Sequence, residues 1–525
     1  MSVQSGINLS IVRWCRALTR PQPPANICQA SGLKRRLKRR HFRSFLLYSG
    51  KTTLRIACVF AFALTVATVM RGTPAPTTFP RLEYHASLRA GSMDANGKSI
   101  FGTEIMHLVP HQGRLYASNS LWMENDPRVP KACQVLVLDS PRGEWKVDLQ
   151  FTRKNLRMGA LKSLTFTTDG SGKAIEPTPI LFAAPDTIIG GTIQIFSRDD
   201  KAGEWTPMSF GEAAGGHGTT RAMGLHRDRK TGIDRVFAGN NLRGILSGVH
   251  DPKAPGRIRW GQKPEFDVPA GERVMGFCDC NGVFYCATTR AILMRDDGPS
   301  PTWKQIYSRP EEIPPVGIRG LTSVPNPAGA GEVLLFAALS QLRRVDPSAN
   351  FKETIELDMR AFLTDAFGIK VPFVLAAYNE ILPCVIPGAG GANTKETVWL
   401  IGFENTYIRT AFTGKGKSKS GPPSKPRTFV VEAKGAHYAA EARFFIRRAD
   451  RANPNTIRYE VAEVAAPNAT LVAVRAIAVS PFTSDSDSDN NGHANARAFY
   501  FAGFDCNSQP SHNTAWIYRG QIPPP

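Results

Sequence analysis

Five basic residues occupy the same position in repeating units of this 525-residue chain, and only the first and sixth units lack one. Each starts a short apolar run, usually after a glycine-containing stretch; they are Lys162, Arg221, Arg273, Arg319 and Arg475. Such cations bind carboxylate, sulfate or phosphate, and arginine can do so through two parallel hydrogen bonds. If the runs are equivalent strands, the cations form a ring that attracts an anion. Alternatively, each cation pairs with a neighbouring carboxylate or carbonyl and only lines a water-filled channel.

Polar residues that follow the second run of several units are expected to share this rim and to provide specificity. They are Asn119, Asp186, Asn240, Asn241 and Asp505. His217 lies in the flexible stretch AGGHGTT that leads to Arg221. No nucleophile elbow is present, and no two carboxylates can be placed opposite each other from the sequence. The pattern therefore predicts a binding site and assigns no catalytic residue.

The acidic run SDSDSDNNG contains a candidate calcium site. Asp485, Asp487 and Asp489 alternate as oxygen ligands do in calcium-binding loops. The sixth position of such a loop requires glycine and is Asn490 here, and Ala496 stands where a bidentate glutamate would be needed. Alternation of Ser and Asp is also common in low-complexity surface segments. Calcium is the one cofactor that the sequence suggests.

The cysteines suggest one disulfide, which depends on the length of a hairpin loop. The stretch FCDCNGVFYCA predicts a hairpin that turns at Asn281-Gly282. With a three-residue loop, Cys278 faces Cys286 and could form a disulfide in an oxidising compartment. With a two-residue loop, the two cysteines lie on opposite faces and cannot. A metal site is disfavoured because no adjacent histidine supplies a fourth ligand.

The runs that carry these residues are short apolar or alternating stretches bounded by Gly, Pro, Asp or Asn, which predicts strands. One unit reads EIMHLV, RLYAS, QVLVLD and KVDLQF, and the order then recurs along the chain. The second run is nearly constant; it reads RLYAS, ILFAA, RVFAG, VFYCA, VLLFAA and FYFAGF. We expect its large residue to fill the space between sheets and its small residue to permit close approach.

Four-stranded repeats of roughly 50 to 60 residues are typical of a β-propeller, whose blades cover one another's apolar faces. The sequence predicts an all-β fold of seven blades over residues 82–525, although six or eight blades remain open. The last unit has three strands, so Leu82–Leu88 is expected to supply the fourth and close the ring. The competing arrangement, stacked two-sheet sandwiches, leaves the repeat order unexplained.

Three turns before tryptophans resemble degenerate Asp-boxes, the S-x-D-x-G-x-x-W loop of sialidase-like propellers. They read SPRGEW, SRDDKAGEW and RDDGPSPTW and end at Trp145, Trp205 and Trp303. The first lacks the aspartate, the second carries extra residues, and the third lacks the serine. The resemblance covers three of the seven units. It implies a propeller and carries over no catalytic residue.

The net charge of +21 is concentrated at the N-terminus. The first 71 residues hold 13 of the 65 Lys and Arg and no acid, so the remainder carries 52 basic against 44 acidic residues. This distribution indicates a targeting or membrane-flanking segment and argues against nucleic-acid binding. We divide the region into a basic segment (1–55), an apolar helix (56–71) and a linker (72–81).

The apolar helix fits either a membrane anchor or a cleaved signal peptide, and the basic flank keeps the N-terminus cytoplasmic. An organellar transit peptide is the alternative. The sequence thus predicts an exported or membrane-anchored propeller that binds an anionic small molecule, an acidic saccharide or a protein tail. A glycosidase or polysaccharide lyase that uses the same site, and a protein-interaction scaffold, are the competing functions.

Overall fold

The computed structural model divides the chain into two compact units, Met1–Thr77 and Thr78–Pro525. The described residues all belong to the second unit; they are 84–121, 132–309, 317–368, 370–388, 391–408, 429–431, 437–439, 442–450, 453, 455–465, 471–482, 498–504 and 513–522. The predicted basic segment, apolar helix and linker lie outside them, as does the acidic run with Asp485, Asp487 and Asp489. No helix within the described ranges is both long enough and apolar enough to cross a bilayer.

The second unit is a seven-bladed β-propeller, in which seven antiparallel sheets follow one another along the chain. The first described strand is β1 (Tyr84–Arg89). Blade 1 consists of β2 (Glu104–His111), β3 (Arg114–Ser120), β4 (Gln134–Leu138) and β5 (Lys146–Gln150). Blade 2 consists of β6 (Met158–Thr168), β7 (Ala174–Pro185), β8 (Thr192–Asp199) and β9 (Glu204–Glu212). Blade 3 consists of β10 (Thr220–Arg227), β11 (Asp234–Asn240), β12 (Gly244–His250) and β13 (Ile258–Trp260).

Blades 4 and 5 repeat this plan. Blade 4 consists of β14 (Val274–Cys280), β15 (Val283–Thr288), β16 (Ala291–Asp296) and β17 (Thr302–Ser308). Blade 5 consists of β18 (Ile318–Pro325), β19 (Glu332–Ala338), β20 (Gln341–Asp346) and β21 (Lys352–Asp358). Helix α1 (Met359–Phe367) follows, with Asp358 accepting from two backbone amides at its start and Gly368 ending it in the left-handed conformation.

Blade 6 is irregular and blade 7 includes the first strand. Blade 6 consists of β22 (Phe373–Ala376), β23 (Leu382–Gly388), β24 (Gly391–Ile408), β25 (Phe429–Val431), β26 (His437–Ala439), β27 (Arg443–Ala449) and β28 (Ile457–Glu463). Blade 7 consists of β29 (Ala473–Val479), β30 (Ala498–Phe504), β31 (Trp516–Gln521) and β1. In this sheet β1 pairs antiparallel with β31, and Tyr84 lies opposite Gly520.

The blades pack through their apolar faces, as the recurring second run predicted. The large residue of that run is fully buried in each blade where it was identified, as at Tyr116, Phe182 and Phe237. Phe182 and Ala238 belong to one cluster that joins blades 2 and 3. The innermost strands of blades 1 to 5 contact one another in turn, and β2 of blade 1 contacts β29 of blade 7. Blades 5 and 6 share an apolar cluster, and β24 of blade 6 contacts β29. The blades therefore form a ring around a channel lined by the innermost strands.

The predicted first strand of blade 6, VLAAYNEIL, is two strands instead of one. Both β22 and β23 pair with β24, and five residues between them, Ala377–Ile381, leave the sheet. The strand prediction failed here because the apolar pattern continues through Tyr378, whose ring lies in the channel against Arg475. We call Ala377–Ile381 the channel segment.

The predicted disulfide between Cys278 and Cys286 does not form, and both thiols are free. Cys280 pairs with Val283, so the hairpin loop has two residues, Asn281 and Gly282. Both have positive φ, the geometry of the turn that suits the twist of paired strands. In this register Cys286 lies opposite Phe277, which places the two sulfurs on opposite faces.

Buried arginines on the third strands connect successive blades. Arg198 of blade 2 lies 2.9 Å from Asp148 of blade 1, and Arg447 of blade 6 lies 2.6 Å from Glu356 of blade 5. Arg295 of blade 4 reaches Asp228, which follows β10 of blade 3, at 2.9 Å. It also contacts Glu265 at 2.8 Å and Asp297 at 2.7 Å, and its side chain is fully buried. Each arginine thus links its own blade to the preceding one.

Substitution of Arg295 by methionine is expected to lower the free energy of unfolding by about 3 to 5 kcal/mol, because it leaves buried carboxylates without their cation. Arg259→Ala is the matched control, since the Arg259 side chain is 61% exposed and its single ion pair is worth about 1 kcal/mol or less. Urea denaturation followed by tryptophan fluorescence measures the free energy of unfolding of both variants. Equal midpoints for the two variants would contradict the buried network as a stabilising element.

Candidate functional site

A β-bulge near the start of six innermost strands determines which side chains enter the channel. The register shifts at Arg221 in β10 and at Arg475 in β29, so each of these arginines lacks a cross-strand partner. Equivalent shifts occur near the starts of β2, β6, β14 and β18. Bulges bend a strand and redirect the side chain of the extra residue. We call the channel end where these strands begin the mouth. Because of the bulges, it receives side chains that regular strands would direct elsewhere.

The channel segment brings Tyr378 to the mouth. The Ala377 amide donates to the carbonyl of Gly402 at 2.9 Å, and the Asn379 side chain donates to the carbonyl of Met106 across the channel. Gly320 permits this close approach. Its φ is +60°, and a Cβ there would come within 2.5 Å of the Ala377 Cβ. The segment is thereby fixed to blades 1 and 6 and packed against blade 5.

Four arginines surround Tyr378, and we call them the arginine cluster. The guanidinium carbons of Arg475, Arg319 and Arg221 lie 3.7, 4.3 and 4.6 Å from the ring centroid. Arg157 donates from Nη2 to the phenolic oxygen at 3.1 Å, and Arg319 donates from Nη1 to the Tyr378 carbonyl at 3.0 Å. A guanidinium over an aromatic face is attracted by the ring quadrupole, which holds these cations together despite their mutual repulsion.

Carboxylates balance part of this charge. Glu104, the first residue of β2 and fully buried, lies 2.7 Å from Arg157 and 4.0 Å from Arg475. Arg475 also pairs with Glu404 at 2.9 Å. Asp186 follows β7, and its Oδ1 is buried without a hydrogen-bond partner. Arg221 is 93% buried, and its Nη2 likewise has no partner. The cluster thus retains an unpaired donor in a site withdrawn from water.

Burial and charge act in opposite directions on the titrating groups of the mouth. Burial raises the pKa of Asp186 and of Glu404, and it outweighs the arginines that favour their ionised forms. Burial also raises the pKa of Tyr378, but here Arg221, Arg157, Arg475 and Arg319 together prevail and lower it well below 10. Burial therefore prevails at the two carboxyl groups, whereas the surrounding guanidiniums prevail at the phenol.

The five predicted cations divide into two groups. Arg221, Arg319 and Arg475 meet at Tyr378, and Arg273 lies close enough to Arg221 and Asp186 for their charges to interact. Lys162 does not join them, because it is the fifth residue of β6 and lies farther along the channel wall. Its ammonium group pairs with Glu380 of the channel segment at 2.6 Å. This pair, the Arg475–Glu404 pair and the hydrogen bond from Arg319 to the Tyr378 carbonyl all correspond to the alternative in which a cation is paired with a neighbouring carboxylate or carbonyl.

The predicted polar rim is occupied mainly by internal hydrogen bonds. Asn240 is fully buried; its amide donates to Thr220, and its oxygen accepts from the backbone of Leu242 and Arg243. Asn241 accepts from the Thr219 amide and donates to the His217 carbonyl. These contacts shape the loop before Arg221. Asn119 is buried and donates to Gln134, and Asp505 lies outside the described residues.

Sequence reasoning missed Arg157, Tyr378 and the two glutamates. Arg157 was detectable, because it directly precedes an innermost strand, β6, as Arg273 directly precedes β14. Tyr378 has no such signal, since its position depends on the interruption between β22 and β23. Across the described ranges, no group of three His, Cys, Asp or Glu side chains is placed to hold a metal ion.

No protein-family model matches the sequence, and no curated protein matches it. Among solved structures, the extracellular domain of a hybrid two-component system of B. thetaiotaomicron is similar, with a TM-score of 0.41 and 8% identity over 83% of this chain and 39% of that chain. This chain therefore spans about two fifths of that structure's length.

Two other solved structures are similar at comparable levels. An α-L-arabinofuranosidase of Fusarium graminearum has a TM-score of 0.32 and 10% identity, over 61% of this chain and 92% of that chain. The major Malassezia sympodialis allergen Mala s 1 has a TM-score of 0.31 and 13% identity, over 68% and 92%. No site residue is transferred from these similarities.

The phenol of Tyr378 is expected to ionise at a lower pH than the other tyrosines. Ultraviolet absorbance of the phenolate, measured during a pH titration, should show one tyrosine that titrates well below pH 10, and this transition should be missing in Tyr378→Phe. Burial raises the pKa of Tyr285 to about 12 and that of Tyr84 and Tyr307 further, so these side chains do not interfere. Identical titration curves for the two proteins would refute the electrostatic description of the mouth.

Proposed function

We propose that this propeller binds an anionic ligand at the arginine cluster, and that an acidic saccharide, an anionic metabolite or an acidic protein tail supplies the negative charge. The main support is the buried, unpartnered Nη2 of Arg221, which lies among three further guanidiniums. An unsatisfied charged donor at such a position costs about 1 to 3 kcal/mol or more. A bound anion removes that cost and reduces the repulsion between the cations.

The charge balance of the mouth supports the same proposal. Arg157, Arg221, Arg319 and Arg475 face the carboxyl groups of Glu104, Glu404 and Asp186 and the phenol of Tyr378. Arg273 adds a further positive charge beside Arg221. Charged groups in a concave site with low-dielectric walls attract counter-ions over a distance, so the mouth favours anions even before contact.

The location of the propeller belongs to the same proposal. We infer export or membrane anchoring from the basic segment 1–55 and the apolar segment 56–71. Closure of the ring by an N-terminal strand is supported by the pairing of β1 with β31. Export of the propeller would place the mouth in contact with extracytoplasmic ligands. Protease accessibility of the propeller in intact cells tests the assignment, and complete protection until lysis would contradict it.

Binding of oligogalacturonate, compared with a neutral galactose oligomer of equal length, tests the ligand class. Arg221→Ala and Arg319→Ala should each weaken oligogalacturonate binding by about 10- to 100-fold, since a charged hydrogen bond contributes about 1.5 to 3 kcal/mol. Arg259→Ala is the control for a change in net charge alone. Isothermal titration calorimetry at two salt concentrations provides the affinities. Unchanged affinity in both mouth variants would eliminate the proposal.

A second candidate function, polysaccharide lyase, is favoured by the contact of Tyr378 with the arginine cluster. In β-elimination from a uronate, arginines stabilise the carboxylate while a base removes the adjacent C–H proton. The Tyr378 phenolate would take that proton. The C–H electron pair would form the new C=C bond, and the glycosidic C–O bond would break. The phenol would then return the proton to the leaving oxygen.

The lyase reaction produces an unsaturated sugar that absorbs in the ultraviolet, so turnover of polygalacturonate can be followed directly. Tyr378→Phe should abolish the increase in absorbance and leave oligogalacturonate binding within about threefold, a change of less than 1 kcal/mol. If the wild-type protein binds the polymer and leaves it intact, the chain is a binding protein and the lyase assignment is wrong.

A further inference from the structure

A separate cavity of about 180 Å³ lies along the channel wall, beside the Asn379–Ile381 portion of the channel segment. One part of its lining is polar and contains His107, Lys162 and Arg221. Another part is apolar and contains Met275, Leu321 and Ile381. The volume is far larger than a single water requires and smaller than the roughly 300 to 1,000 Å³ of drug-sized sites. It is therefore suited to a small metabolite.

Two buried polar atoms on this lining have no hydrogen-bond partner. They are Nε2 of His107 and Nη2 of Arg221, on side chains whose residues are only 6% and 7% exposed. Nearly all buried polar groups in folded proteins are hydrogen-bonded, so each exception requires a reason. The two residues come from the innermost strands of blades 1 and 3, on either side of blade 2, and line one space. A single ligand can satisfy both.

The net charge of the lining selects a monoanion. Lys162 and Glu380 neutralise each other at 2.6 Å. Burial, together with the charges of Lys162 and Arg221, lowers the pKa of His107 to about 3, so its imidazole is neutral at physiological pH. Arg221 consequently remains the single uncompensated charge among these four groups. Because a neutral imidazole can donate from Nε2, the pair presents two donors to an anion.

We propose that this cavity binds a small monocarboxylate with a short apolar body, its carboxylate on Arg221 and His107 and its hydrocarbon against Met275 and Leu321. The Lys162 and Glu380 side chains, 34% and 30% exposed, mark where the cavity meets solvent. The proposal deepens the proposed function, because Arg221 belongs to both sites. It adds a second binding position for a ligand of different size and polarity.

Butyrate and its neutral isostere butyramide are the probes that test this site. The full chain should bind butyrate at least tenfold more tightly than butyramide in calorimetry, because only the carboxylate accepts from the charged donor. His107→Phe keeps a ring of similar size and removes Nε2, so it should weaken butyrate binding by about tenfold. Equal affinity for the two probes, or no butyrate binding, would overturn the proposal.

Substitutions that fill the cavity distinguish binding in the cavity from binding at the mouth. A Cβ at Gly276 would lie 3.7 Å from the Leu321 Cβ, an ordinary contact, so Gly276→Ala is accommodated and occupies part of the space. Leu321→Phe fills it from another strand. Either folded variant should lose butyrate binding and retain oligogalacturonate binding, whereas Arg319→Ala should do the reverse. Undiminished butyrate binding in both filled variants would refute this site while leaving the arginine cluster untouched.

If the wild-type protein binds oligogalacturonate and ignores butyrate, the cavity proposal fails and the proposed function stands. If it binds butyrate and ignores oligogalacturonate, the acidic-saccharide assignment of the mouth fails and the cavity proposal stands. Arg221→Ala should weaken both ligands, since its guanidinium faces both sites. Loss of only one ligand in that variant would show that the two sites do not share this residue.

Discussion

Each four-stranded sheet of this protein has two apolar faces, and a single sheet cannot bury both. Stacking the blades around an axis covers every face with a neighbour. The fully buried second-strand residues Tyr116, Phe182 and Phe237 lie in these interfaces. The same arrangement directs the beginnings of all innermost strands to one end of one channel. Residues that are tens of positions apart in the sequence, such as Arg221, Arg319 and Arg475, consequently meet around a single ring.

The ring also creates an electrostatic problem at its centre. Guanidiniums that converge on the axis repel one another, and their burial removes water that would screen them. The Tyr378 ring lies between these cations, and Glu104 and Glu404 pair with Arg157 and Arg475. Between the blades the same residue type has a different role. There Arg198, Arg295 and Arg447 are matched by carboxylates and hold neighbouring sheets together.

Because similar units repeat along the sequence, much of the fold and part of the site could be predicted. The seven-bladed architecture, the position of the recurring second strand and the convergence of Arg221, Arg319 and Arg475 follow from periodic apolar runs and from one basic position per unit. Tyr378 could not be predicted in the same way, because it lies where blade 6 departs from the repeat. Lys162 was misplaced at the rim because residue type was aligned without the register of β6. The Cys278–Cys286 pairing depended on one residue of loop length, which composition does not determine.

The bulges place Arg221 and Arg475 outside the cross-strand pairing of their sheets, so residues that contact a ligand are distinct from residues that pair the strands. Neither residue has a cross-strand partner, so the ladders of β10 and β29 lose no pair if its side chain changes. Evolution can therefore exchange the chemistry presented to a ligand at these points while the surrounding sheets keep their register. A channel built in this way can diverge rapidly in what it recognises, and sequence similarity among propellers of this kind would then fade first at the residues that matter most for binding.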